Sequence, residues 1–114
     1  KNGALTGGVT LYLTNNGESS TYMPIYFATR NQIIDAFGAI SQVSNGGGNT
    51  DVYTVVKNGV DQAMTFSISN STAGSTTANP VTLSSGDTVG IKIDTAAGTL
   101  AENLLVQLTV REIG

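Results

Sequence analysis

Apolar and polar side chains alternate residue by residue through most of the second half of this chain. That period of two belongs to strands with one buried face and one wet face. Met64, Phe66 and Ile68 alternate with Thr65, Ser67 and Ser69, and Val89, Ile91 and Ile93 with Gly90, Lys92 and Asp94. Leu104, Val106, Leu108 and Val110 form the cleanest run, whose other face carries Leu105, Gln107, Thr109 and Arg111. Earlier, Val9, Leu11 and Leu13 alternate with Thr10 and Tyr12, and Met23, Ile25 and Phe27 with Pro24, Tyr26 and Ala28. Turn chemistry separates the runs. Asn58-Gly59, between β-formers, predicts a type I′ hairpin, because both residues tolerate positive φ. Gly86-Asp87 predicts a tight turn whose Asp side chain caps it. Asn45 to Asn49 and Asn70 to Asn79 read as loops by composition. Asn31 to Phe37 are ambiguous: Ile33, Ile34 and Phe37 fall at helical spacing behind Asn31, a cap for a short helical turn, but seven residues support little helix and the sequence leaves their conformation open.

With no βαβ alternation and no repeat at a solenoid period, the expectation is an all-β fold. It is an antiparallel β-sandwich of jelly-roll topology with about eight short strands. A chain of 114 residues makes one domain over 1–114, with residues 1–8 a flexible or strand-donating arm. The chain opens on Lys1, which reads as a processed product or a piece of something longer.

Composition removes several functions. Without Cys, His or Trp, there is no disulfide scaffold, no thiolate or imidazole zinc site, no Cys nucleophile and no Ser-His-Asp triad. Charged residues are only 11% of the chain, and the net charge is −3. Lys1, Arg30, Lys57, Lys92 and Arg111 stand singly, which is no footprint for nucleic acid. The apolar runs are far shorter than the roughly 20 residues of a membrane-spanning helix, and no basic-then-apolar leader is visible. The polar residues are mainly Thr, Ser, Asn and Gly, a surface that offers little resistance to close subunit packing.

From Val52 onward, the order V-Y-T-V-V-K-N-G-V-D, M-T-F-S-I-S, V-T-L-S-S-G-D-T-V-G-I-K-I-D and L-L-V-Q-L-T-V resembles a known pattern. It is similar to the C-terminal part of trimeric jelly rolls of the tumour-necrosis-factor and complement-globular-head type, as found in bacteriophage decoration proteins and tail fibres. The resemblance implies a homotrimer that buries side chains a monomer would expose, on a virion surface or outside the cell. Tyr53, Val55, Leu105 and Gln107 are the expected interface residues. Leu105 lies on the face opposite Leu104.

The acidic residues are spread singly: spacing alone does not exclude a carboxylate pair for glycoside hydrolysis, since strands bring distant residues together, but nothing in the sequence suggests one, and no Asp-x-Asp-x-Asp-Gly calcium loop is present. Asp51, Asp61 and Asp94 flank strands and would need to converge to bind calcium. Asn70-Ser71-Thr72 fits the glycosylation tripeptide, and Gly46-Gly47-Gly48 lacks the Lys-Ser/Thr of a phosphate loop. No catalysis and no cofactor are expected. The function expected is structural: a self-associating virion protein that decorates a capsid or builds a fibre, with the major capsid protein or another virion protein as partner. An alternative is a fibre-tip or adhesin domain that binds a cell-surface receptor or glycan, with Tyr22 as its loop aromatic. A second is a filament subunit donating Lys1 to Leu13 as a strand, hinged at Gly7-Gly8.

Overall fold

The computed structural model describes residues 1, 3–98 and 101–113. Among them it is all β, with ten strands in two antiparallel sheets that pack face to face. The six-stranded sheet runs β2 (Glu18–Ser19), β1 (Thr10–Leu13), β9 (Thr88–Asp94), β5 (Thr50–Lys57) and β6 (Val60–Ser69). Its short strand β3 (Tyr26–Phe27) pairs with the start of β9. The four-stranded sheet places β4 (Gln32–Ile40) between β10 (Leu105–Glu112) on one side and β7 (Ala73–Thr76) with β8 (Val81–Leu83) on the other.

The alternating runs produce the core. Leu11, Leu13, Tyr53, Val55, Met64, Phe66, Ile68, Val89, Ile91 and Ile93 point inward from one sheet, and Ile34, Phe37, Ala39, Val81 and Leu83 from the other. Phe66 joins the layers. Its ring stacks on Tyr53 at 4.9 Å between centroids and meets Phe37 edge-on at 4.7 Å. Gly74 of β7 leaves the space for this packing, since a Cβ there would lie 2.7 Å from Ile68 and 3.0 Å from Phe66.

Residues 31–37 form no helical turn; they open β4. The helical spacing has a specific origin. The register against β10 shifts between Thr109 and Val110, so that Ile34 and Ala36 face successive residues of β10 while Asp35 is extra. This β-bulge resets the alternation and turns Ile34 and Phe37, three apart, to the same core. Residues 70–79, expected as one long loop, contain β7. Met23, Ile25 and Phe27, expected as an inward-facing set, are exposed, while Ala28 is buried. Here the chain crosses the outside of the six-stranded sheet as a strap. Tyr22 lies on Gly90, where a Cβ would come within 2.7 Å of the Met23 carbonyl and 2.8 Å of the Tyr22 ring. The Tyr22 hydroxyl hydrogen-bonds Thr88 at 2.9 Å, and its ring meets Tyr12 edge-on at 6.0 Å.

The N-terminal arm is folded back on its own chain. Leu5 is buried in the core and its N–H donates to the Ala101 carbonyl at 3.1 Å. Two further polar residues are buried with their bonds made. Asn45 donates to the Ile68 carbonyl at 2.6 Å, and Asp51 accepts from Ala96 N–H at 2.9 Å.

Because the strap touches the Gly90 backbone, Gly90→Ala forces the carbonyl of Met23 and the Tyr22 ring outward. The expected loss is about 1–3 kcal/mol in urea unfolding, the scale of overpacking; a variant with an unchanged midpoint would mean that the strap is not held against β9.

Candidate functional site

Two surfaces of the sandwich face outward, and they differ in kind. On the six-stranded sheet, Thr65, Thr54, Lys92, Tyr12 and Ser19 form one row across five strands. Lys92 forms an ion pair with Asp61, and Asp61, Asp94 and Tyr12 all hold its ammonium charged by raising its pKa. Asp94 accepts from Thr10, and Tyr22 spans the neighbouring backbone. This face is polar, internally bonded and partly strapped over.

The outer face of the four-stranded sheet is the opposite. Leu105 is 62% exposed and Ile40, its register partner on β4, is 56% exposed. The next row pairs Gln107 with Gly38 and Gly38 with Ser75, and the next pairs Thr109 with Ala36. Two large apolar side chains therefore stand beside a floor of Gly, Ala and Ser. A shallow groove of about 560 Å³ lies over these rows. The face carries no charge until its far end, where Arg111 is paired with Asp35 at 2.6 Å. The residues that line the groove are apolar, small or uncharged polar.

Of the expected interface residues, Leu105 and Gln107 sit together on this face and are exposed. Tyr53 and Val55 do not. They are 1% and 0% exposed, on the inner side of β5 against β9, and so belong to the chain's own core. Tyr53 and Val55 point to the core, and Val56, aligned with Gly90, is buried on the strapped side, so the chain itself covers these side chains of β5. Ile40 and the small residues beside it were missed by sequence reasoning. The only signal was the Ala36, Gly38, Ile40 alternation, hidden by the bulge.

The two predicted turns come together. Asn58 and Gly59 have φ of 52° and 81°, as a type I′ hairpin requires, and Gly86 has φ of 98°. The Asn58 side-chain amide donates to Asp87 at 2.9 Å, the other Asp87 oxygen accepts from Ser84 N–H at 2.8 Å, and Thr88 N–H donates to the Asn58 side chain at 2.8 Å. These form a structural clasp between the β5–β6 and β8–β9 turns. Asp51, Asp61 and Asp94 do not converge: Asp51 is buried against Ala96, while Asp61 and Asp94 lie on the outer side with Lys92 and Thr10. Among the described residues no three acidic side chains gather as a cation site. No described helix is long and apolar enough to cross a membrane. Tyr22, the expected loop aromatic, is engaged by Gly90, Tyr12 and Thr88.

The chain matches no family model, and no match is found among curated proteins or solved structures.

Hydrogen bonds from Asn58 and Ser84 hold the Asp87 carboxyl below its ordinary 3.8. A depressed folded value stabilises the protein above the unfolded value, and that stabilisation disappears as pH falls through the folded one. Urea midpoints measured at about pH 7 and about pH 3 should therefore differ less for Asp87→Asn than for the wild type. An equal acid loss in both proteins would remove Asp87 from the clasp's energetics.

Proposed function

We propose that this chain is a non-enzymatic building unit that associates with copies of itself through the outer face of its four-stranded sheet. One observation carries the proposal: Leu105 and Ile40 stand exposed side by side, next to a hollow floored by Gly38, Ser75 and Ala36. Ridge and hollow lie on one surface, so a second copy supplies the complement of each. A charged partner finds nothing to pair with in the middle of this face, whereas a copy of the same face leaves no charge stranded there. Burial of such side chains is favourable at roughly 25 cal/mol per Å² of apolar area, before the losses of association are subtracted.

The form of the assembly follows from the motif order from Val52 to Val110, which resembles trimeric jelly rolls of virion decoration proteins and fibres. The two-layered antiparallel architecture is compatible with that topology. Three copies around an axis, on a virion or another extracellular particle, is the arrangement proposed, with a neighbouring virion protein as the support. A charge-poor, cysteine-free surface suits a protein that works packed against others.

Leu105→Asp tests this directly. Leu105 is exposed in the single chain, so the substitution should shift unfolding free energy by no more than about 0.5–1 kcal/mol. Light scattering should show the wild type as a multiple of 11.7 kDa and the variant as a smaller species. A wild type of single-chain mass at micromolar concentration, or a variant with unaltered mass, would sink the proposal.

A further inference from the structure

Strand β10 is an open edge. Among the described residues it pairs with β4 alone, and its core-facing Val106, Leu108 and Val110 are only half-buried although they pack on the core. Natural edges are usually blunted by charge, Pro, a bulge in the edge strand or a covering loop. Leu105 to Val110 are six uncharged residues without Pro or Gly, a composition that favours strand pairing. The extra residue of the β4–β10 bulge belongs to β4, so the edge itself stays regular.

The backbone direction can be read from neighbouring bonds. Ser41 N–H donates to the Thr72 carbonyl, on the β7 side of β4. Its neighbour Ile40 therefore turns its own N–H and C=O toward β10, as do Gly38 and Ala36 by alternation. Their partners Leu105, Gln107 and Thr109 bond β4, and Val106, Leu108 and Val110 present theirs to the open side. The N-terminal arm already uses the approach to this edge. Ala4 bridges Glu102 in antiparallel fashion, Asn103 N–H donates to the Gly3 carbonyl, and the Lys1 ammonium donates to the Leu104 carbonyl at 2.8 Å.

We infer that the free edge of β10 accepts β10 of a second copy, antiparallel across a twofold axis, with Leu108 opposite Leu108. In this register Val106 faces Val110, and these pairs meet through the backbone groups left open. Leu105 faces Arg111, and the pairing stops there, because the arm already bonds Leu104 on the open side. From Leu105 to Arg111 no two charges of like sign are set against each other. A slip that puts Val106 opposite Leu108 drives Val110 of the second copy against Leu104, whose carbonyl the arm occupies. The pairing also completes the burial of Val106, Leu108 and Val110, which the single sandwich leaves unfinished. The inference rests on the assembly proposal for the identity of the occupant, a second copy, but uses an edge and not a face.

The test combines a block and a link. Val106→Pro removes an N–H that points to the open side, so it keeps the β4 ladder; Gln107→Pro removes one that β4 needs. Expected are a folded Val106→Pro protein whose mass is half that of the wild type, and an unfolded or strongly destabilised Gln107→Pro protein. In the proposed register Gln107 faces Thr109 of the second copy as a non-hydrogen-bonded pair, whose Cα separation of about 4.5 Å suits a disulfide. The chain has no cysteine of its own, so oxidised Gln107→Cys/Thr109→Cys should run as a covalent dimer, and adding Val106→Pro should abolish the link. Leu105→Asp should leave that link intact. If Val106→Pro changes neither mass nor crosslinking, the edge contact is overturned and the face proposal stands untouched; if Leu105→Asp alone leaves mass unchanged, the face proposal falls and the edge contact remains.

Discussion

The stack of Tyr53, Phe66 and Phe37 is the contact on which the two-layered architecture depends. Phe66 is the only described ring that touches an aromatic partner in each sheet, parallel to Tyr53 and edge-on to Phe37. Such pairs favour offset and edge-on arrangements, which fix the spacing and angle of the layers as well as burying area. The glycine at 74 follows from the same contact, because β7 passes too close to Phe66 and Ile68 for any side chain. Burial and the nearby Asp51 carboxylate both push the Tyr53 phenol upward, so it remains neutral in the core.

Once the layers are set, the two outer faces acquire different fates. The six-stranded sheet receives the strap of residues 20–25, which closes on Gly90 and leaves a bonded, polar surface around Lys92. The four-stranded sheet receives no strap. Its outer side keeps Leu105 and Ile40 over a small-residue floor, and its β10 edge keeps unpaired backbone beside half-buried Val106, Leu108 and Val110. Exposed apolar side chains next to an uncharged open edge are what soluble solitary domains usually avoid. Leu105 and the open edge both lie on β10, which makes that strand the centre of the functional proposal.

Much of this was legible in residue order. The all-β class, the Asn58-Gly59 hairpin, the Asp87-capped turn and the outward position of Leu105 and Gln107 all follow from alternation and turn chemistry. Other features were not, among them β7 within the loop expected over 70–79 and the exposed Ile40. Ile33, Ile34 and Phe37 imitate helical spacing because a bulge at Asp35 adds a residue to β4. Met23, Ile25 and Phe27 alternate as a core face would, yet all three are exposed, Met23 and Ile25 on the strap and Phe27 in the short strand β3. Tyr53 and Val55 were expected at a subunit contact, yet they lie on the core-facing side of a strand held between β9 and β6, so the chain's own two sheets bury them.

A period of two states that a strand has two unlike faces, and the turn residues state where it reverses. Those are local properties, set by backbone geometry and by which residues accept positive φ, so the linear order of amino acids carried them alone. Which face meets the other sheet, which is covered by the chain's own strap and which stays open depend on contacts between residues far apart, such as Tyr22 on Gly90 and Phe66 on Phe37. Burial is a property of the packed whole, and only the folded chain decided it.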